Sequence, residues 1–395
     1  MRSLEAVRTE LLAPLTPLPS EIVPLAEASG RVVAEAPHAT TDVPPADNVA
    51  MDGYAVRAAD LVEVPRRLEV VGRVAPGEHF VKAIQTGQAV RVFTGAPLPP
   101  GADAVLMQED TVVSETPGTI VAQDKVKPWE NVRFRGEDVS AKSPLVGAGI
   151  RLGPAQLGLL GAAGVSSIRV YRRPRIGILI TGSELVPPGQ PLQPGQIYES
   201  NGIMLAELIR SVGAEVVQFP TVRDQPELLE ASLRHAWPSV DLLVTSGGAS
   251  VGEPDLVRSC IAQLGATVWD GEVSLKPGKP FFSAGWNGRR LTGLPGNPVS
   301  AFVTAVLLVL PAVRRLQGLA AEGPPTTPGI LTETMTNGDS RRHFVRVATD
   351  SAGHVRSSGV QASHRLSSLS SADGLVEVPP KSTLAAGTTI SVIRW

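Results

Sequence analysis

The 395-residue chain has little of the chemistry that cysteine and clustered histidine provide. Cys260 is its single cysteine, so an intramolecular disulfide is excluded, and its place on the apolar face of a predicted helix indicates a buried small side chain in a reducing compartment. The six histidines are scattered without the spacing of zinc ligands. We therefore expect no zinc-thiolate site and no redox chemistry based on protein metal ligands.

Long apolar runs and an excess of charge are also lacking. The longest apolar stretch, Ala301 to Val313, is shorter than the roughly 20 residues that span a bilayer and contains Pro311, which predicts a buried helix. Met1 to Leu12 has acidic residues among its apolar ones at helical spacing, unlike a signal peptide. A net charge of −2 gives no global field for nucleic acid or an anionic membrane. We expect a cytoplasmic protein without partners of either kind.

The length and the order of the apolar segments predict a multidomain α/β plus β protein. After Arg175, strand-like segments alternate with helical ones, which is typical of a doubly wound, mostly parallel sheet. Short strands between glycine and proline turns predict a small inserted β domain, and strands after the linker at Pro324 predict a C-terminal β domain. The predicted divisions are an N-terminal layer (1–44 and 142–172), the small β domain (45–141), the α/β domain (173–318) and the C-terminal domain (319–395).

Three loops in the α/β part predict an anion site. The first, Thr245 to Gly252, follows an apolar strand and opens a helix, so its glycines can present backbone N–H groups at a helix N-terminus. In the second, Lys276 and Lys279 flank a Pro-Gly pair, and the third runs from Gly293 to Pro298. Two lysines on a stiff loop suit an oxyanion or a pyrophosphate, although an ordinary surface turn would also explain them.

Two carboxylates near these loops have both a functional and a structural interpretation. Glu184 follows a buried strand, and Asp255 lies near the start of the helix after the glycine loop. Carboxylates at neighbouring strand ends, beside phosphate-binding amides, suit Mg²⁺. Alternatively, Glu184 is an ordinary loop residue and Asp255 only interacts with the helix dipole.

Three further aspartates are also open to two interpretations. Asp224 precedes Pro226 and Glu227, so it could cap a helix as well as take part in catalysis. Asp52 stands before Gly53, a common turn pair. Asp138 ends a charged segment that could be a solvated turn. Local sequence alone does not decide between these roles.

Read with Asn48 to Ala55 and Thr94 to Pro97, the three loops resemble the MoeA family of molybdopterin molybdenumtransferases, to which the gephyrin E domain is related. The resemblance covers nearly the whole chain and is weakest in the C-terminal part. It implies an elongated N-terminal layer and a barrel-like C-terminal β domain. It also implies catalytic roles for Asp52, Asp138, Glu184, Asp224 and Asp255, with Glu184 and Asp255 as Mg²⁺ ligands. The residues that it implies for substrate binding are Thr94, Gly247, Gly248, Ser250, Lys276, Lys279, Pro295, Pro298, Ser300, Arg346 and Ser363.

The activity that the resemblance implies is Mg²⁺-dependent insertion of molybdate into adenylylated molybdopterin, with release of AMP. Members of the family are homodimers whose cleft joins the α/β domain of one subunit to the small β domain of the other, so Asp52 would act across the interface. The adenylyltransferase that supplies the substrate is then a candidate partner. Two residues depart from the family pattern, Ser183 and Glu199, and the serine lowers the negative charge beside Glu184.

Two other functions stay open at this stage. The α/β part alone also resembles molybdopterin or nucleotide adenylyltransferases, although the additional β domains argue against that activity. A non-enzymatic scaffold of the gephyrin E-domain type is disfavoured by the intact acidic and lysine positions. Spacing excludes the Gly-x4-Gly-Lys-Ser/Thr phosphate loop around Gly278 and the dinucleotide fingerprint around Gly149.

Overall fold

The computed structural model of the chain describes residues 1–247, 256–270, 272–319 and 323–395. The helices in this part of the chain are, in order, α1 (Leu4–Leu12), α2 (Pro154–Ala162), α3 (Asn201–Arg210), α4 (Pro226–Ala236), α5 (Leu256–Gln263), α6 (Pro298–Thr304), α7 (Leu310–Leu316) and α8 (Leu366–Ser370). A π-helical turn, Ala305–Val309, joins α6 to α7.

The strands are mostly short and are separated by tight turns. They are β1 (Ser20–Pro24), β2 (Asn48–Val49), β3 (Gly53–Val56), β4 (Arg66–Val74), β5 (Gln88–Val92), β6 (Ala104–Met107), β7 (Thr111–Val113), β8 (Thr119–Ala122), β9 (Val132–Arg133), β10 (Ser167–Tyr171), β11 (Arg175–Ile180), β12 (Leu185–Val186), β13 (Ile197–Tyr198), β14 (Glu215–Gln218), β15 (Leu242–Ser246), β16 (Thr267–Asp270), β17 (Leu275–Lys276), β18 (Phe282–Trp286), β19 (Arg289–Leu294), β20 (Thr326–Leu331), β21 (Met335–Asn337), β22 (Arg342–Thr349), β23 (His354–Ser357), β24 (Gly374–Val378), β25 (Ser382–Leu384) and β26 (Thr389–Ile393).

A six-stranded sheet in the order β14-β11-β15-β19-β18-β16 forms the centre of the α/β domain. Its first four strands are parallel, and β18 is antiparallel to both of its neighbours. One face packs on α3, α6 and α7, and the other packs on α4 and α5. Every residue of β15 is buried, because both faces of the sheet are covered. The predicted doubly wound, mostly parallel sheet is confirmed.

The continuous helical segment from α6 to α7 is the most apolar part of this domain. By length and composition Pro298–Leu316 could cross a membrane, but 94% of its most apolar window is buried inside the protein. The predicted buried helix over Ala301 to Val313 is therefore confirmed as a core element. The π-helical turn ends two residues before Pro311, which has no N–H for an ordinary helical hydrogen bond.

The small β domain is a sheet in the order β6-β3-β5-β4-β8-β7, and β2 pairs with β9 beside it. Alternate side chains pack on its two faces, which is the pattern that strands impose. Val90 and Val92 belong to one apolar cluster and Leu68 and Leu106 to the other. The turn between β2 and β3 carries Asp52, so this domain presents one of the predicted catalytic residues.

The N-terminal segment contributes to more than one layer. Strands β1 and β10 form an antiparallel pair that packs with α2 in a separate apolar cluster. Leu4, Val7 and Leu11 on α1, however, belong to the core of the α/β sheet. On the same helix, Glu5 accepts a hydrogen bond from Arg342 of the C-terminal domain at 2.5 Å. The boundaries at residues 44, 141, 172 and 318 stay a prediction.

The C-terminal strands close into a barrel. Strands β22, β23, β20, β26 and β24 are paired in that order, and β24 pairs back with β22, with an apolar cluster inside. The predicted barrel-like domain is confirmed. A two-residue strand of the lysine loop, β17, adds to the outside of β22 and places Lys276 opposite His343. The loop with the predicted anion-binding lysines is therefore attached to the barrel.

Candidate active site

A cavity of about 520 Å³ lies at the carboxyl ends of β11, β15 and β19, where ligands bind in sheets of this kind. Of the predicted site residues, Glu184, Gly247, Pro295, Pro298 and Ser300 line it. The lining residues that the sequence analysis did not assign to the site include Ser200, Asn201, Pro280, Asn297 and His364. Gly248, Ser250 and Asp255 lie outside the described residues.

Gly247 allows the ends of two strands to meet at the cavity. Its φ is +103°, and a Cβ added there would lie 2.0 Å from the carbonyl oxygen of Thr181. Thr181 N in turn donates to the carbonyl oxygen of Ser246 at 3.0 Å. The sequence predicted this glycine from the approach of a backbone N–H to an anion. The structure adds a second requirement, because no side chain fits between β15 and the end of β11.

A buried hydrogen-bond network around Asn201 joins the glycine loop to the loop after β19. Asn201 Nδ2 donates to Ser246 Oγ at 3.0 Å and to the carbonyl oxygen of Gly296 at 2.8 Å. Ser246 Oγ donates its only proton to the carbonyl oxygen of Pro295 at 2.9 Å. Ser246 Oγ and the Gly296 carbonyl oxygen must therefore both accept from Asn201, which fixes the orientation of the Asn201 amide. Asn201 is a positioning residue for these loops.

The sequence carries a signal for the role of Asn201. Asn201, Leu205 and Ile209 have the spacing of one helix face, and all three are buried in α3. A polar residue on an otherwise apolar face needs a hydrogen-bond partner. This pattern indicates an internal network at the start of α3, where the strand-end loops meet.

We expect Asn201→Ala to destabilise the protein by about 1–3 kcal/mol, because the substitution leaves the Gly296 carbonyl without its donor. Urea unfolding of the purified protein measures this loss. Ser200→Ala is the matched control, since Ser200 lines the same cavity and its side chain caps no backbone group of α3. Equal stability of the two variants would contradict the role of the network.

Ser183, in the turn that contains Glu184, is hydrogen-bonded to Asp224. Ser183 N donates to Asp224 Oδ2 at 3.1 Å, and Asp224 N donates to Ser183 Oγ at 3.0 Å. Helix α4 begins after Gln225 without a side-chain cap, so the structure does not support the alternative that Asp224 caps it. Glu184 itself is exposed and lines the cavity, whereas Asp224 does not. The serine that departs from the family pattern thus holds the Glu184 turn in place.

Lys276 and Lys279 each lie near a carboxylate. Lys276 Nζ is 3.8 Å from Asp339 Oδ2, and Lys279 Nζ is 2.9 Å from Glu272 Oε1. The hydrogen bond from Lys279 lowers the pKa of Glu272. Both lysine side chains are partly exposed and neither lines the cavity. Exposed ion pairs contribute about 0–1 kcal/mol, so an incoming oxyanion can replace these carboxylates.

The barrel contributes a loop at the rim of the cavity. His364 lines the cavity, and the carbonyl oxygen of Ser363 accepts from Val299 N at the start of α6, at 3.1 Å. Arg346 is fully buried and supports this loop, since its Nη2 donates to the carbonyl oxygens of Val360 at 2.8 Å and Ala362 at 3.2 Å. Burial lowers the pKa of Arg346 to about 10. Oxyanion contacts by Arg346 and Ser363 stay a prediction.

His343, opposite Lys276, is a buried titratable group. It is 8% exposed, and its Nε2 has no hydrogen-bond partner among the described residues. Burial, followed by the charges of Lys276 and Arg346, lowers its pKa from the ordinary value of 6.5 to about 4. His343 is therefore neutral in the folded protein at pH values at which it is protonated in the unfolded chain.

This difference predicts a loss of stability in acid. Above about pH 7 His343 is neutral in both the folded and the unfolded state and does not change the free energy of unfolding. Between about pH 6.5 and pH 4 only the unfolded chain takes up the proton, which lowers the free energy of unfolding by up to about 3 kcal/mol. Urea unfolding should show a smaller loss over this range in His343→Gln than in the unmodified protein. His354→Gln is the control, because His354 is an exposed residue of the same barrel. Equal losses in all three proteins would contradict the prediction.

Asp52 and Thr94 lie together on the small β domain. Asp52 Oδ1 accepts from Thr94 N at 2.8 Å and from Thr94 Oγ1 at 2.7 Å. These hydrogen bonds, and then the charge of Arg91, lower the pKa of this exposed carboxylate. The side chain of Asp52 is therefore hydrogen-bonded to the segment that follows β5 and not to its own turn. Asp138 is also exposed, and its N donates to the carbonyl oxygen of Val43 at 3.1 Å.

The predicted site residues of one chain fall into separate groups. The described residues that line the cavity belong to the segment 180–300 or to the barrel loop at His364, and none comes from residues 45–141. Among the described residues, no group of three or more His, Cys, Asp or Glu side chains could hold a metal ion. Glu184, the predicted metal ligand that is described, offers a carboxylate to the cavity.

The fold and the cavity define a class of protein in which an α/β ligand-binding domain is combined with an N-terminal layer, a small β domain and a β-barrel. Three family models match successive parts of the chain: MoeA N-terminal region (domain I and II) at residues 2–164, probable molybdopterin binding domain at 177–315, and MoeA C-terminal region (domain IV) at 328–395.

Known proteins are similar to this chain over nearly its full length. A molybdopterin molybdenumtransferase of Haemophilus influenzae is 36% identical, with 99% of this chain and 98% of the relative covered. Molybdopterin molybdenumtransferase 2 of Mycobacterium tuberculosis is 37% identical, with 94% of each covered. A crystal structure of a molybdopterin biosynthesis MoeA protein from Pyrococcus horikoshii is 33% identical, with a TM-score of 0.84 and 100% of this chain and 99% of that chain covered. The chain belongs to the MoeA family.

Proposed function

We propose that this chain is a molybdopterin molybdenumtransferase, an enzyme of molybdenum cofactor biosynthesis whose substrates are molybdate and adenylylated molybdopterin and whose products are the cofactor and AMP. The similarity to relatives of that name extends over nearly the whole chain. The observation that carries the proposal is the cavity at the strand ends. It combines the close-approach Gly247, the carboxylate of Glu184 and the loop from Pro295 to Pro298.

The role of the protein in this reaction is mainly electrostatic. Molybdate and the phosphates of the pterin repel one another, and Lys276 and Lys279 would exchange their carboxylate partners for these oxyanions. Mg²⁺ is the metal that the family resemblance implies, and it would neutralise negative charge on the phosphates. Glu184 and Asp255 have the carboxylate oxygens that Mg²⁺ prefers. Asp224, through Ser183, would keep Glu184 in position.

A homodimer would complete the site. Asp52, Thr94 and Asp138 do not line the cavity of their own chain, so a small β domain from a second copy could supply them. The two hydrogen bonds from Thr94 hold the Asp52 carboxylate in place and lower its pKa. The adenylyltransferase that delivers the pterin is the proposed partner, and the cytoplasm is the proposed location.

AMP release in the presence of adenylylated molybdopterin and Mg²⁺, with and without molybdate, tests the proposal. Molybdate-dependent release together with active cofactor is the expected result. Synthesis of the adenylylated pterin from ATP, without such release, would assign an adenylyltransferase instead. A folded protein with neither activity would indicate a scaffold.

A further inference from the structure

Two arginines lie side by side on the small β domain, close to Asp52. The strand register places Arg91 of β5 opposite Tyr54 of β3 and opposite Arg73 of β4. Residues paired in this way share one face of a sheet, and like charges on neighbouring strands are unfavourable. The repulsion between Arg73 and Arg91 therefore has to be offset by other contacts.

Aromatic rings hold both guanidinium groups. Arg91 Cζ lies 5.0 Å from the centre of the Tyr54 ring and 5.1 Å from the centre of the Phe93 ring. Arg73 Cζ lies 5.1 Å from the same Phe93 ring. Stacking of this kind orients a guanidinium group and leaves its edge free for hydrogen bonds. Phe93 thus contacts both cations.

The positive charge of this group is only partly compensated. Arg91 donates to neutral acceptors, the carbonyl oxygen of Gly53 at 3.3 Å and Gln108 Oε1 at 2.5 Å. Within the described ranges, the one ion pair of the two arginines joins Arg73 to Glu78, at 3.6 Å between exposed side chains. An oxyanion between the two guanidinium groups would relieve their repulsion and accept charge-assisted hydrogen bonds from both.

We propose that Tyr54, Arg73, Arg91 and Phe93, here called the Arg91 face, form a phosphate-binding subsite for the nucleotide part of the substrate. Arginine forks fit tetrahedral phosphates, and the subsite lies beside Asp52. The choice of AMP as the ligand rests on the proposed function, because AMP is the phosphate monoester that the reaction releases. In a dimer, the Arg91 face and Asp52 would reach the cavity of the other subunit together.

Isothermal titration of the full chain with AMP, and separately with inorganic phosphate, tests this subsite. We expect Arg91→Gln to weaken AMP binding about 10-fold or more, Arg73→Gln to weaken it less, and inorganic phosphate to compete with AMP in the unmodified protein. Arg91→Lys keeps the charge without the fork and should give an intermediate affinity. Arg66→Gln is the matched control, since Arg66 is an exposed arginine elsewhere on β4.

Unchanged AMP affinity in Arg91→Gln, an equal loss in Arg66→Gln, or binding of phosphate without binding of AMP would overturn the proposal. Thermal unfolding of each variant shows whether a loss of affinity comes from misfolding. The titration requires no turnover. Arg91-dependent AMP binding without molybdate-dependent AMP release would therefore count against the proposed function and not against the subsite.

Discussion

Asp52→Asn is expected to lower the rate of molybdate-dependent AMP release about 100-fold or more, without loss of the folded protein. The variant keeps an oxygen that accepts the two hydrogen bonds from Thr94, so the local structure should persist. It loses the negative charge, and a positioned ionisable group contributes about 10²–10⁴-fold when it acts in catalysis. Rates under saturating substrate, together with thermal unfolding, measure both effects.

Asp60→Asn is the matched control for this substitution. Asp60 is also a carboxylate of the small β domain, and its Oδ2 accepts from the backbone N of Gly87 at 3.0 Å, which is not a predicted site residue. The control should keep its rate. An unchanged rate in Asp52→Asn would remove Asp52 from the mechanism.

Mixed dimers show whether Asp52 acts on its own cavity or on that of its partner. If each site combines Asp52 of one subunit with Glu184 of the other, a dimer of one Asp52→Asn chain and one Glu184→Gln chain retains one intact site. Random mixing of two inactive variants should then recover about one quarter of the unmodified activity. Sites formed within one chain would recover none, and that result would contradict the shared cleft.

Gly247→Ala is expected to destabilise the protein by about 2–5 kcal/mol and to abolish AMP release. The positive φ disfavours any side chain, and the added methyl group would meet the Thr181 carbonyl at 2.0 Å. The strand ends can accept the methyl group only by moving apart, which disrupts the cavity. Urea unfolding gives the stability loss, and an assay of AMP release gives the functional one.

Gly265→Ala separates the cost of the positive φ from the cost of the contact with Thr181. Gly265 also has a positive φ, +80°, but nothing lies within 4 Å of an added Cβ. It should therefore show the backbone cost of about 1–2 kcal/mol without the clash. Similar stability losses in the two variants would mean that the contact between β15 and Thr181 does not determine the requirement for glycine.

Local patterns were sufficient for many elements. The predicted buried helix over Ala301 to Val313 lies in the core segment from α6 to α7, and the predicted alternation after Arg175 is the doubly wound sheet. These predictions worked because apolar spacing and the alternation of short segments are visible in the local sequence. The cavity at the strand ends was equally accessible, since the sheet type fixes where ligands bind.

Contacts between distant segments were not accessible from the sequence. Nothing near Ser183 indicates that it exchanges hydrogen bonds with Asp224, and no period in α1 shows that Leu4 and Val7 join the α/β core. The carboxylate partners of Lys276 and Lys279 depend on how the barrel and the N-terminal segment pack around that loop. Such details require the tertiary structure because they involve no local periodicity.

The pairing of β17 with β22 affects how this architecture can be recombined. The barrel takes an outer strand from the segment that carries Lys276, so the covalent junction near Pro324 is not the junction of the two hydrogen-bonded units. A chimaera joined near Pro324 would set a foreign β22 against the native lysine strand. Recombination between relatives would keep the β17–β22 pairing native only when the exchanged segment begins before β17 and includes the whole barrel.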